Sequence, residues 1–136
     1  MDPPKKKVLI IDDEEDLIVL AGHALTLVRT DVEIISARDG FSGIRRARQE
    51  QPAVIILDVM MPGMDGYEVC RRLKADPKTR DIPLVMLTAS SDPKLNQKAF
   101  EAGAMACLTK PYNRGTLVNC VDVALASGAR GREQPA

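Results

Sequence analysis

Ala53-Val54-Ile55-Ile56-Leu57-Asp58-Val59-Met60-Met61-Pro62-Gly63-Met64-Asp65-Gly66 is the stretch that decides the fold. Its five opening aliphatic residues, β-branched at the centre, read as a short strand buried on both faces. Asp58 closes that strand just before a Pro-Gly turn, which places its carboxylate at the lip of a sheet and not inside it. An ionised group half-shielded from water is costly there unless a cation or an electrophile meets it.

Working outward, the same alternation recurs on both sides. Val8–Ile11 is a second aliphatic run, and Asp12-Asp13-Glu14-Glu15-Asp16 follows it. Leu17, Leu20, Ala21, Ala24 and Val28 then recur at helical spacing, with the acids in the first turn where the helix dipole favours them. Val32–Ala37 reads as a strand, and Asp39-Gly40 opens a helix that stops before Pro52. Past Asp58, Asp65 and Glu68 have the spacing of a capping box for a helix whose core face is Val69, Cys70 and Leu73. Leu84–Leu87 is the fourth strand, Asp92-Pro93 starts the fourth helix and Gly103 ends it. Ala106–Thr109 is the fifth strand, and Leu117, Val118, Val121 and Leu125 stripe the last helix. Buried strands alternating with amphipathic helices require right-handed crossovers. The expected fold is therefore α/β, a three-layer sandwich around a parallel sheet of five strands.

Composition narrows the function. A chain of 136 residues is one domain, and nineteen basic residues against nineteen acidic ones leave no bulk charge for nucleic acid or an anionic membrane. Aromatics are scarce at 3% with no Trp, so stacking platforms for bases are not expected. Cys70, Cys107 and Cys120 lack metal-ligand spacing and read as reduced, packed thiols. His23 has no His or Cys four residues away and carries no expected metal or catalytic role. No apolar run approaches a membrane span, and no signal-peptide apolar segment follows Met1–Lys7, so the cytoplasm is the expected compartment.

In a parallel sheet all carboxyl ends share one edge. Asp12 and Asp13 end the first strand, Asp58 the third, Thr88 the fourth, and Lys110 follows the fifth. The second strand ends without a carboxylate, which puts it at the sheet edge, away from the cluster. Three carboxylates within a few ångströms repel by ~4 kcal/mol per close pair at an effective dielectric of 20, so a hard divalent cation belongs among them. Mg²⁺, bound through one or two carboxylates together with phosphate oxygens, suits such a site. A carboxylate nucleophile, a metal, a hydroxyl and an ammonium are the parts phosphoryl transfer needs.

With these residues in order, the chain resembles the response-regulator receiver domains of two-component signalling. The resemblance is carried by Ile10-Ile11-Asp12-Asp13-Glu14, Leu57–Gly66, Leu87-Thr88-Ala89 and Thr109-Lys110-Pro111-Tyr112. It implies the flavodoxin-like strand order 2-1-3-4-5 with five helices, residues 7–126 as the domain, 1–6 as an N-terminal tail, and 127–136 as a C-terminal tail or linker stub. It implies that Asp58 accepts a phosphoryl group from a histidine kinase or phosphotransfer domain, and that Thr88 and Lys110 contact the phosphoryl oxygens. By the same resemblance Asp13, Asp58 and the Met60 carbonyl ligate Mg²⁺, Asp12 assists through a bound water, and Lys110-Pro111 is cis. Such a protein is a signalling switch and not an enzyme beyond its own phosphorylation and dephosphorylation.

Three alternatives are distinguishable on residues. A haloacid-dehalogenase-like phosphatase wants a second Asp two residues after the nucleophile, where Met60 stands. A nucleotide or flavin binder wants a phosphate loop after the first strand, where this chain has acids. A non-phosphorylated scaffold of the same fold usually lacks a site residue, and none is lacking.

The chain also departs from its relatives. Members commonly carry Tyr or Phe three residues before the fifth-strand Lys, as a rotating switch; here it is Cys107. A muted change is therefore expected on the face formed by the fourth helix, fifth strand and last helix, where an output domain or protein partner would dock. Met105-Ala106 and Cys120 replace the acidic pair and Arg of the usual dimer, so a monomer is expected, with Met105 as a contact for a partner. Met60 and Ser90 flank the site at positions that tune hydrolysis in such domains, and bulky, apolar Met60 is expected to hinder water and slow hydrolysis of the phospho-form.

Overall fold

Along the Asp58 strand, alternate side chains enter two different cores. Ile55 and Leu57 join one cluster with Leu9, Ile11, Val69, Leu73 and Met86. Val54 and Ile56 join the other with Val8, Ile10, Leu25, Val85 and Leu117. The period of two along a strand makes this division, and a central strand buried on both faces has no polar side to spare.

The computed structural model describes residues 4–133. In chain order the elements are β1 (Lys6–Ile11), α1 (Glu15–Val28), β2 (Val32–Ala37), α2 (Gly40–Glu50) and β3 (Val54–Asp58). They continue as α3 (Gly66–Ala75), β4 (Leu84–Thr88), α4 (Pro93–Ala102), β5 (Ala106–Thr109) and α5 (Arg114–Glu133). All neighbouring strands are parallel in the order β2-β1-β3-β4-β5, which is the expected topology. Helices α2, α3 and α4 contribute to the first core, and α1 and α5 to the second. The chain reverses direction across the sheet between β1 and β3, the switch point where ligands of such folds bind.

The helix ends follow the expected chemistry at most positions. Asp39 caps α2 by accepting the Ser42 N–H at 2.8 Å, and Asp92 caps α4 by accepting the Lys94 N–H at 3.0 Å. Gly103 ends α4 with φ +113°, a left-handed conformation that favours glycine. Only half of the expected capping box on α3 forms. Asp65 accepts the Glu68 N–H at 2.9 Å, but the Glu68 carboxylate turns away to Arg71 and Arg72.

One expectation is corrected. The apolar stripe assigned to α1 is rotated: Ile18, Ala21, Ala24 and Leu25 are buried, whereas Leu20 and Val28 are 63% and 65% exposed. Close approach is the reason. A Cβ on Gly22 would lie 3.3 Å from Ile34 of β2, so α1 meets the sheet on the face that carries Gly22 together with Ile18, Ala21 and Leu25, and Val19, Leu20 and Leu27 stay outside. At the carboxyl end, α5 continues to Glu133, past the boundary expected after residue 126. Ala and Arg are strong helix formers, and extending an existing helix escapes the cost of nucleation. At the amino end β1 begins at Lys6, which pairs with Val32, one residue inside the expected tail. The remaining parts of the expected tails, 1–3 and 134–136, lie outside the described residues.

Candidate functional site

The carboxyl edge of the sheet is assembled from main-chain contacts that leave little choice of residue. After β1, the Asp12 N–H donates to the Ala37 carbonyl at 3.0 Å, and the Asp12 carboxylate accepts the Glu14 N–H at 3.0 Å. That turn leaves Asp12 buried and Asp13 half-buried beside it. After β3, the Val59 N–H donates to the Leu87 carbonyl at 2.9 Å, and the loop folds back so that the Gly66 N–H donates to the Val59 carbonyl at 2.9 Å. A Cβ at residue 66 would lie 2.5 Å from the Asp58 carbonyl oxygen, so only glycine permits the return.

Asp12, Asp13 and Asp58 converge as expected. Each offers a carboxylate oxygen, and these oxygens lie within 4.8 Å of one another. Lys110 enters from the end of β5, its Nζ 2.9 Å from Asp58 Oδ1 and 3.6 Å from Asp12 Oδ2. The Lys110-Pro111 peptide is cis, and the Lys110 N–H donates to the Thr88 carbonyl at 2.7 Å. Thr88 is buried at the end of β4, opposite Thr109 in register, and its Oγ1 accepts the Ser90 N–H at 3.2 Å. Met60 lies in the loop two residues after Asp58 with its side chain 71% exposed.

The electrostatics are those of an acid cluster with too little positive charge. Asp58 is only 5% exposed, and burial pushes its carboxyl above the ordinary range. The Lys110 ammonium opposes that shift, and the neighbouring Asp12 and Asp13 add to it. For Lys110, burial favours the neutral amine, but its hydrogen bond to Asp58 and the surrounding acids prevail and raise it. One ammonium faces three carboxylates. The donor set is oxygen alone, with no thiolate or imidazole, and this is the chemistry of a hard divalent cation and not of a soft metal.

Two features of the site were not foreseen. Tyr67, on the first turn of α3, is buried in the cluster against which Cys107 packs, and the Lys98 ammonium sits 4.3 Å from its ring centroid. An aromatic from a neighbouring helix thus stands near the position where the fifth strand has a thiol. The second feature is an apolar groove of about 450 Å³ beside Lys110, lined by Leu17, Leu20, His23, Ala24, Pro111 and Tyr112 among others. The outward rotation of α1 places Leu20 there.

A doubly wound parallel sheet with an acid triad and a lysine at its switch point defines a phosphoryl-handling signalling module. The chain belongs to the response regulator receiver domain family, whose model matches residues 8–122. It is a receiver domain of two-component signalling. It is 47% identical over 81 residues to the response regulator PleD of Caulobacter vibrioides, covering 60% of this chain and 18% of that one. It is 33% identical over 94 residues to protein PilH of Pseudomonas aeruginosa, covering 69% of this chain and 78% of that one. The chemotaxis protein CheY4 of Vibrio cholerae superposes with a TM-score of 0.80 at 30% identity, over 89% of this chain and 99% of that one. This chain therefore spans less than a fifth of PleD but nearly the whole of CheY4. Among the described residues, no helix is long and apolar enough to cross a membrane.

Proposed function

We propose that Asp58 is the phosphoacceptor of this receiver, taking its phosphoryl group from a phosphohistidine on a histidine kinase or phosphotransfer domain. The observation that carries the reading is the 2.9 Å contact of Lys110 with Asp58 inside a cluster of three carboxylates. An Asp58 carboxylate oxygen attacks phosphorus, the phosphorus–nitrogen bond breaks, and the imidazole leaves with its electron pair. Asp58 becomes an acyl phosphate. Lys110 then exchanges a carboxylate partner for a phosphoryl oxygen without leaving its place, and the Thr88 hydroxyl donates to a second oxygen.

Asp13, Asp58 and the Met60 carbonyl are the residues that would hold Mg²⁺, with Asp12 behind them. When bound, Mg²⁺ neutralises the charge on the transferring oxygens. Asp12 and Asp13 meanwhile keep the pocket too negative for an anion to settle without the cation. The apolar groove beside Lys110 offers the donor protein a ledge next to the acceptor. Phosphorylation shifts an existing two-state equilibrium and is read by an output domain or partner on the face of α4, β5 and α5. The protein works as a monomer in the cytoplasm.

Intact mass spectrometry after incubation with Mg²⁺ and acetyl phosphate tests the reading, with Asp58→Asn as control. Wild type gains one phosphoryl mass that neither the variant nor an EDTA-treated sample gains. If wild type gains none with acetyl phosphate or any kinase donor, the domain is a non-phosphorylated scaffold of the same fold.

A further inference from the structure

Helix α2 carries a surface that the phosphoryl chemistry does not use. Arg45, Arg46 and Arg48 lie on the helix and Arg38 just before it, in a chain whose acidic and basic residues are equal in number. Two open clefts flank the helix. One, of about 470 Å³, is lined by Arg38, Asp39, Ser42, Arg45, Arg46 and Gln49 together with the end of β2. The other, of about 460 Å³, is lined by Phe41, Ile44, Arg45, Arg48, Gln49 and Lys78. Arg45 and Gln49 border both and form the crest between them.

Arg48 is paired with Asp76 at 2.9 Å, and the other three are held more loosely. Among the described residues Arg45 has neither an ion pair nor a side-chain hydrogen bond. Arg46 donates to the Ser36 carbonyl at 2.7 Å, which fixes its guanidinium against the cleft wall, and it also acts on the Glu50 carboxylate one turn along. Arg38 donates to the Asp13 carbonyl at 3.1 Å and makes a long, exposed ion pair with Glu15 at 4.0 Å. The one carboxylate lining that cleft, Asp39, already accepts from the Ser42 N–H and hydroxyl. Across the crest, Phe41 is 62% exposed, with the Arg72 guanidinium 6.0 Å from its centroid. Three guanidiniums thus line one flank, with Asp39 the one carboxylate of that cleft and Glu15 and Glu50 outside it, and an exposed aromatic ring, with Arg72 over one face, lies beside Ile44 on the other.

The geometry points to a binding site on α2 for a nucleoside polyphosphate, its phosphates among Arg38, Arg45 and Arg46 and its base against Phe41 and Ile44. Guanidinium forks match phosphate oxygens in pairs, and an exposed ring gains from a stacked base. Phe41 and Arg45 are one helical turn apart, about 5–6 Å between Cβ atoms, a gap one nucleotide bridges. An acidic peptide would satisfy the arginines but leave the ring unused. The site stands independently of phosphorylation at Asp58.

Titration of the ¹⁵N-labelled full chain with ADP, inorganic diphosphate and adenosine, in EDTA to silence metal-dependent binding at the acid cluster, tests this. ADP is expected to saturate with shifts centred on residues 36–49, more tightly than diphosphate, while adenosine alone does not bind. Arg45→Gln weakens ADP and diphosphate alike by about tenfold, the loss of one charged hydrogen bond. Phe41→Ser brings ADP down to the level of diphosphate and leaves diphosphate unchanged. Both side chains are exposed, and a thermal melt of each variant verifies the fold. Equal binding of ADP and diphosphate, shifts that map elsewhere, no saturation at millimolar ligand, or tighter binding of a glutamate-rich peptide at these residues overturns the proposal.

Discussion

Asp13 is the carboxylate the fold needs least. Asp12 closes the turn after β1 and Asp58 holds Lys110, whereas Asp13 adds only charge to the cluster. Asp13→Asn should therefore stabilise the metal-free protein by about 1 kcal/mol, less than the ~4 kcal/mol of a close pair at an effective dielectric of 20, because Asp13 is half exposed. The melting temperature in EDTA should rise by about 4 °C. Mg²⁺ should then raise the melting temperature of wild type more than that of the variant, since a bound ligand stabilises the state that binds it. A variant that melts lower in EDTA, or gains as much from Mg²⁺, would show that Asp13 is neither a repulsive nor a ligating group. The thiols give a second residue-scale expectation. Cys70 is fully buried, donates to the Ala102 carbonyl at 3.3 Å, and is pushed up to about 11 by burial. A disulfide reagent at pH 8 should leave one thiol unreacted until denaturant is added, and peptide mapping should find it at Cys70.

At the scale of elements, α2 depends on its cap. Asp39→Ala should lose about 1 kcal/mol at neutral pH. The Ser42 N–H holds the Asp39 carboxyl below its ordinary value, so the cap's contribution is complete above that value and is lost as pH falls through the lowered one. Urea midpoints of wild type and variant should converge in acid; a gap that persists there would refute the assignment. Strand β5 governs the other element-scale expectation. Cys107 cannot sweep the volume of an aromatic ring, and Tyr67 is already packed in the cluster it joins. Beryllofluoride with Mg²⁺ should accordingly move amide shifts around Asp58, Thr88 and Lys110 strongly and those of α4 and α5 weakly. Large shifts across the whole outer face would indicate an aromatic-type switch after all.

For the whole molecule, what could be read beforehand divides along a physical line. The edge position of β2 and the convergence of Asp12, Asp13, Asp58 and Lys110 were legible, because parallel strands bring their carboxyl ends to one edge; the strand order came only with the family resemblance. The face of α1 was not legible. Apolar residues lie all round α1, and the pattern alone does not say that the sheet takes the face with Ile18, Gly22 and Leu25 and leaves Leu20 and Val28 outside. The length of α5 was missed for a related reason: Gly and Ser lower propensity without forbidding a helix that already exists. Tyr67 escaped because it works through a contact between distant elements, and no local spacing marks that. The site chemistry was more legible than its surroundings since it rests on charge at strand ends, which topology alone brings together.

Lys110 hangs from β5, which has four half-buried residues at the margin of the sheet, while the carboxylates it faces are fixed to the interior strands β1 and β3. The cation of the site is thus mounted on its most compliant support, and the anions on its stiffest. Amide exchange should be fastest there among the five strands. Compliance of this kind works in both directions. A protein that clamps β5 from outside sets the position of the ammonium, and so changes how tightly the pocket holds a phosphoryl group, by the same free energy with which the phosphoryl group alters that protein's grip.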